Sequence, residues 1–396
     1  MSRWLPGLLL LVLGLAGRAG AQRPTADWGV QAIPALTETN VVPGGRSLGE
    51  LRVLLPVAML HAAAFGGRLR LVATANFEKY TIPHGELAPG NWGEGFSDRR
   101  HPHTLVHELM LIGGGPHAFV AAGKGFVPFG TDDPMARPAV VFPVNHHLSQ
   151  ILERAVAMAG VRVGPATLEG ALFNGDEPVS PGSWPAWDRF GDSWAVRLTL
   201  TPLPGLETQA SYAWVHSPEN RPGAGPDDRK ASVSARWERG RWYGEAEWAR
   251  TATADGFFVF HSVLAEGAVT LGRQRPYLRL ERSDRPEEER VFSSQFRTRR
   301  PLFENSILGI TRWTILSAGD ALEVQRGPVR CTPFVEAAWI GIARVGGGVF
   351  DPASFYGREH GASLTVGVRL ALGMRMHRMG RYAPSAEPDM SRMRMP

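Results

Sequence analysis

His101, His103 and His107, with Glu108 beside the last, form the densest set of metal-capable side chains in the chain, and His146-His147 follows further on. Neutral imidazoles bind zinc or copper where a fold converges them. The order here is neither H-E-x-x-H nor H-x-x-E-H, so no metallohydrolase signature is present. A polar loop beside a strand accounts for these histidines, and no metal or other cofactor is expected. The C-terminal run Met374, Met376, His377, Met379, Met390, Met393 and Met395 is a second set, with thioethers suited to Cu(I). Met374 and Met376 also continue an apolar stripe, where they are ordinary hydrophobic side chains. Gly45-Arg-Ser-Leu-Gly49 spells the nucleophile elbow without the strand and helix that give it meaning. Gly123-Lys124 fails as a phosphate loop, because Ala118 and Gly125 stand where the pattern needs glycine and Ser or Thr. No nucleophile and base are legibly paired, so the chain is not expected to be an enzyme.

The elements that would position such residues begin with an export signal. Arg3, the apolar run Leu8 to Leu15 and Ala19-Gly20-Ala21 follow the order of a cleaved signal peptide over residues 1–21. That run is too short to span a bilayer as a helix. Residues 22–45, rich in Pro, Thr, Ala and Gly, read as an irregular leader. The single cysteine, Cys331, can form no intrachain disulfide, so an exported chain of 396 residues must be held by its fold alone. Cleavage would remove Arg3 and Arg18 and lower the formal charge of +5 by two. Lys79, Lys124 and Lys230 are the only lysines, and the arginines are scattered along the chain. A nucleic-acid surface needs a clustered basic face, so no nucleic-acid partner is expected.

From about residue 190 alternate side chains change character, the signature of strands with two unlike faces. Trp194, Val196, Leu198 and Leu200 fall on one face, with Ala195, Arg197, Thr199 and Thr201 on the other. Ser232, Ser234, Arg236 and Glu238 oppose Ala231, Val233, Ala235 and Trp237; Tyr243, Glu245 and Glu247 oppose Trp242, Ala246 and Trp248. The pattern continues with Glu266 on one face, and with Tyr277, Arg279 and Glu281 opposite Leu278 and Leu280. Near the end Leu364, Val366, Val368, Leu370, Leu372, Met374 and Met376 form an apolar face opposite Thr365, Gly367, Arg369 and Arg375. These runs are roughly ten residues long, the length of a tilted membrane strand. Short turns such as Arg239-Gly-Arg241 alternate with long polar connections such as Ser217 to Arg229 and Ser283 to Arg300, and Trp residues gather near strand ends.

The expected fold is therefore all-β. It is a transmembrane antiparallel up-and-down β-barrel over residues 46–382, of roughly 12–16 strands, followed by a disordered Met/Arg tail at 383–396. Leu69 to Thr74, Val106 to Ile112, Ala118 to Phe126 and Val161 to Phe173 can also be strands. Asn145 to Met158 reads as a short helical loop segment, with Leu148, Ile151, Leu152 and Ala155 on one face.

Gly123-Lys-Gly-Phe-Val-Pro-Phe-Gly130, Glu153-Arg154, Gly160-Val-Arg-Val-Gly164 and Ala171-Leu-Phe-Asn-Gly175 resemble the phosphate-selective porin O and P family in wording and order. The likeness covers roughly residues 105 to 215. It implies an outer-membrane barrel with a loop constricting its lumen and, in some members, a basic ladder for anions. The scarcity of lysine and the glutamates beside the arginines on the predicted inner faces depart from the anion-selective members.

The expectation is a porin-like channel in the cell outer membrane. It would pass small polar or charged solutes, anions included, with residues 125 to 160 shaping the constriction and Lys124, Arg197, Arg236, Arg279 and Arg369 on the lining. Most of those arginines are expected to brace facing glutamates. Outer-membrane lipid is the expected surrounding, and a homotrimer is implied by analogy. A plugged structural or metal-binding barrel and a barrel hydrolase are the alternatives.

Overall fold

The computed structural model describes residues 24–42, 44–81, 104–131, 137, 149–178, 180–218, 223–288, 307–374 and 378–383. Its strands in chain order are β1 (Thr25–Thr39), β2 (Leu48–Ala64), β3 (Leu69–Asn76), β4 (Val106–Gly114), β5 (Ala118–Gly125), β6 (Arg154–Val163), β7 (Ala166–Phe173), β8 (Ser193–Leu203) and β9 (Leu206–Val215). They continue with β10 (Asp228–Arg239), β11 (Trp242–Thr253), β12 (Phe258–Val269), β13 (Tyr277–Glu288), β14 (Ile307–Ala321), β15 (Val324–Arg326), β16 (Val329–Gly348) and β17 (His360–Gly373). Two short helices, α1 (Glu78–Thr81) and α2 (Pro352–Tyr356), sit in connections. Neighbouring strands pair antiparallel, and β1 pairs with both β2 and β17, so Leu36 lies opposite Leu51 on one side and Val366 on the other. This pairing closes the sheet and leaves no free edge. β15 is a short extension folded on the start of β16, so the wall is a closed antiparallel barrel of 16 strands.

Alternation decides which face each side chain takes. On β8, Ser193, Ala195 and Arg197 are buried inside while Trp194, Val196, Leu198 and Leu200 are exposed outside. Leu168, Leu172, Val233, Val263, Leu278, Leu280, Leu316, Leu364 and Val366 extend the same apolar outer belt. Such a belt is disfavoured in water and favoured against hydrocarbon. Introducing a guanidinium into it, as in Leu198→Arg, should cost about 2–4 kcal/mol of folding free energy in a bilayer. Denaturant unfolding of vesicle-inserted protein would measure this, and Thr199→Ala on the inner face serves as the control.

The interior is packed along much of the wall. Ile33, Leu54, Trp313, Phe334 and Ile340 belong to one buried apolar cluster, and Met110, Phe119, Met158, Phe173 and Tyr382 to another. Polar and charged side chains fill the space between them.

The structure corrects several expectations. The stretch expected as an irregular leader contributes β1, with Gln31, Ile33, Ala35 and Thr37 facing in and Val30 and Leu36 facing out. Its inner face mixes Gln31, Thr37 and Thr39 with Ile33 and Ala35, so polar and apolar residues do not alternate there, and Pro34 adds a misleading turn signal. Of the expected helix over 145–158, Ser149 is helical, but the part from Arg154 to Met158 is the start of β6. Val161 to Phe173 divides into the ends of two strands at Gly164-Pro165, where Gly164 has φ +56°. The connection expected from Ser283 begins only after β13 ends at Glu288. The last strand stops at Gly373 instead of running on toward residue 382. That glycine has φ +83°, and a Cβ on it would lie 2.4 Å from the Trp28 carbonyl oxygen. Residues 1–21 and the tail beyond Ala383 lie outside the described residues.

Candidate functional site in the barrel interior

A row of charges crosses the inner wall. Glu207, Arg236, Glu245, Glu266 and Arg279 are successive register partners from β9 to β13. The alternation of each strand puts them inside, and the antiparallel register aligns them. Arg279 Nε donates to Glu266 at 2.9 Å, and both side chains are buried. The Tyr243 hydroxyl lies 2.7 Å from Glu266 and 2.8 Å from Glu245, so its one proton serves either carboxylate. Arg236 lies over the Tyr243 ring, 5.4 Å from its centre, and donates to Glu238 at 2.6 Å.

Two segments from elsewhere in the chain complete this row. The connection between β5 and β6 turns inward after Gly125. Its Gly130 amide donates to Ser211 on β9 at 2.9 Å, and Thr131 donates to Glu245 at 2.5 Å. Arg137 then stands between Glu245 and Glu247, at 3.4 and 3.3 Å. A connection that leaves β5 and docks on β11 reaches over the interior rather than lying along its own strands.

The C-terminal segment is the second. Arg378 binds Glu207 through two donors at 2.9 and 2.7 Å, and Arg381 lies 3.3 Å from the same carboxylate. Arg197 on β8 donates to the Gly380 carbonyl at 2.9 Å, and Arg70 on β3 donates to the Tyr382 carbonyl at 2.6 Å. The Tyr382 hydroxyl donates to Glu108 on β4 at 2.6 Å and accepts from the Phe126 amide at 3.1 Å. Residues 378–383 thus lie inside the barrel and are bonded to the wall from β3 to β9.

The five residues expected on the lining all face inward, and the structure shows what each touches. Arg197 pairs with Glu169 at 2.7 Å and is 1% exposed, and Arg279 is as deeply buried against Glu266. Lys124 is buried, donates to the Thr104 hydroxyl and lies 5.7 Å from the Trp184 ring centre. Arg236 and Arg369 are half-buried. Bracing by a glutamate is therefore the state of Arg197 and Arg279, and of Arg236 through Glu238.

His107 Nδ1 lies 2.5 Å from Glu153, which also accepts from the Thr104 amide at 2.9 Å. His101 and His103 lie outside the described residues, and no three His, Cys, Asp or Glu side chains meet in metal-binding geometry among the described residues. His216 and Asp227 pair at 2.7 Å near the long-connection end, with no serine or cysteine bonded to that imidazole among the described residues. Ser47 of the elbow-like motif is exposed in the connection between β1 and β2, and a strand follows it.

Sequence reasoning missed Glu207, Arg137, Arg378, Arg381 and Tyr382. Glu207 sits at a strand start beside a turn, Arg137 lies in a connection and the other three in the C-terminal segment, where no period marks a direction. In a barrel whose interior passes ions, Arg137→Ala should leave Glu245 and Glu247 without that cation and shift selectivity toward cations. A reversal potential under a salt gradient that moves in the cation direction is the expected result.

No known family profile matches the sequence, and no curated protein is similar to it. Comparison of folds gives outer-membrane porins. The anion-selective porin from Comamonas acidovorans shares a TM-score of 0.55 at 11% identity, over 88% of this chain and 100% of that one. A trimer form of OmpT, an outer membrane protein of Vibrio cholerae, gives 0.53 at 8% identity, over 89% and 100%. Salmonella typhi OmpF, solved with daunomycin, gives 0.52 at 10%, over 88% and 97%. At these identities what is shared is the fold, and the fold of this chain is that of an outer-membrane porin.

Proposed function

We propose that the protein is a porin-type channel of the outer membrane, carrying small polar or charged solutes by passive diffusion through a passage narrowed by the β5 to β6 connection and the C-terminal segment. The observation that carries this reading is the row Glu207, Arg236, Glu245, Glu266 and Arg279 on the inner wall of a closed barrel with an apolar outer face. A charged row inside an apolar shell stabilises solutes that hydrocarbon excludes. The signal-like start supports export. The resemblance to phosphate-selective porins supports anions among the solutes, with the half-buried Arg369 and the Glu238-paired Arg236 as the lining cations. Because Arg197 and Arg279 are held by glutamates, the anion preference is modest. A trimer follows by analogy with the porin neighbours.

The occupied interior favours one second reading, a barrel plugged in its resting state, with solute flow only when residues 378–383 leave. Planar-bilayer recording of the purified full chain, with reversal potentials under a salt gradient, tests the channel. Stepwise ohmic currents with weak selectivity are expected. Silence from the inserted full chain and from a chain lacking the C-terminal segment would remove the channel reading.

A further inference from the structure

The outer wall carries a break in its apolar belt. On β11 to β14 the inward positions Ala249, Ser262, Ser283 and Trp313 are fully buried, so the side chains between them in sequence point outward. Those are Arg250, His261, Arg282 with Asp284, and Arg312. They lie side by side across four strands: Arg250 is the register partner of His261, the His261 amide donates to Asp284 at 3.1 Å, and Asp284 is the partner of Arg312. Arg282 stands one outward position away, opposite Val263. Arg229 flanks the set on β10, opposite Ala252.

The charges do not cancel. Arg312 is held by Asp284 at 2.6 Å and Arg229 by Asp255 at 3.1 Å. Among the described residues no carboxylate is within ion-pair distance of Arg250 or Arg282. Arg282 and His261 are exposed, and Arg250 is half-buried. A lipid-facing guanidinium is disfavoured at the bilayer midplane and tolerated at the interface, where anionic headgroups can pair with it. The position fits the interface. Arg250 and His261 lie three residues from the β11 to β12 turn, at the barrel end that carries the long connections, and Trp248 sits beside His261 with ring centres 6.4 Å apart.

We propose that Arg250, His261 and Arg282 form a binding site for a phosphorylated lipid headgroup on the outside of the barrel, with the phosphate seated between the two guanidiniums. Arginine suits this role because its planar fork matches phosphate oxygens, and the adjacent indole and leucine surface would hold the acyl chains. The proposal rests on the barrel sitting in a membrane, and it concerns the outer wall rather than the passage.

The test uses full-length protein in a neutral detergent, titrated with a phosphorylated glycolipid and, separately, with the same lipid lacking its phosphate. Binding is read by native mass spectrometry and by thermal unfolding. The wild type should bind the phosphorylated lipid and unfold at higher temperature with it, and the double variant Arg250→Gln/Arg282→Gln should bind roughly tenfold more weakly or less. Arg239→Gln, an exposed arginine at the opposite barrel end, should bind like the wild type. Equal binding of both lipids, equal binding by the double variant, or the same stabilisation by inorganic phosphate would overturn the site. So would a double variant that keeps its lipid affinity but loses an oligomer, which would make the patch a contact between copies. The channel reading would survive any of these results if bilayer currents persist.

Discussion

A chain ending at Met374 should conduct several-fold more than the full-length protein in planar bilayers and should lean toward cations. The segment it loses supplies Arg378 and Arg381 to Glu207, and Gly380 and Tyr382 to Arg197, Arg70 and Glu108. Removing it clears interior volume and uncovers a carboxylate at one end of the charged row, and both changes act on ion flow. Truncation can also impair assembly, so two full-length variants accompany it. Glu207→Gln should loosen both arginines, and Tyr382→Ala removes the hydroxyl that binds Glu108 and the Phe126 amide. Each should lengthen open times without reaching the conductance of the truncated chain. If the folded, inserted truncation conducts no better than the wild type, the segment does not obstruct the passage.

Arg279→Ala should cost about 3–5 kcal/mol of folding free energy, because it leaves Glu266 charged and without its main counter-ion in a buried place. The Tyr243 hydroxyl remains on Glu266 at 2.7 Å, which places the expected cost toward the lower end of that range. Replacing both partners, as Arg279→Met with Glu266→Met, should recover most of the loss, since two apolar groups of similar volume leave no unpaired charge. Urea unfolding of the refolded barrel measures all three proteins. A single variant as stable as the wild type would mean that water reaches this pair, and would favour an open interior over a packed one.

Barrel strands are legible where their two faces meet different surroundings. β8, β10, β11 and β13 alternate because lipid lies on one side and polar interior on the other. Arg197, Arg236, Arg279 and Arg369 could therefore be assigned to the inner face from sequence spacing. β1 and β6 were hidden for the opposite reason. Ile33 and Ala35 share the inner face of β1 with Gln31 and Thr37, and Val156 and Met158 make the inner face of β6 as apolar as its outer one, so neither strand shows a clean polar-apolar period. Beyond Gly373 the alternation continues in the sequence through Met374 and Met376, but the strand ends at that glycine, whose φ is positive.

Local chemistry by itself determined the fold class, the antiparallel strand order, the outer apolar belt and the inward direction of Arg197, Arg236, Arg279 and Arg369. Each of these follows from a two-residue period and the contrast between hydrocarbon and water. Only the tertiary structure decided which glutamate each inward arginine meets, that Arg137 spans Glu245 and Glu247, and that Arg378, Arg381 and Tyr382 lie within the barrel. Among them, Arg137 meets Glu247 across 110 positions, Arg378 meets Glu207 across 171 and Tyr382 meets Glu108 across 274. No local period encodes such a distance; it is set when the sheet closes and brings connections and chain end into one enclosed volume.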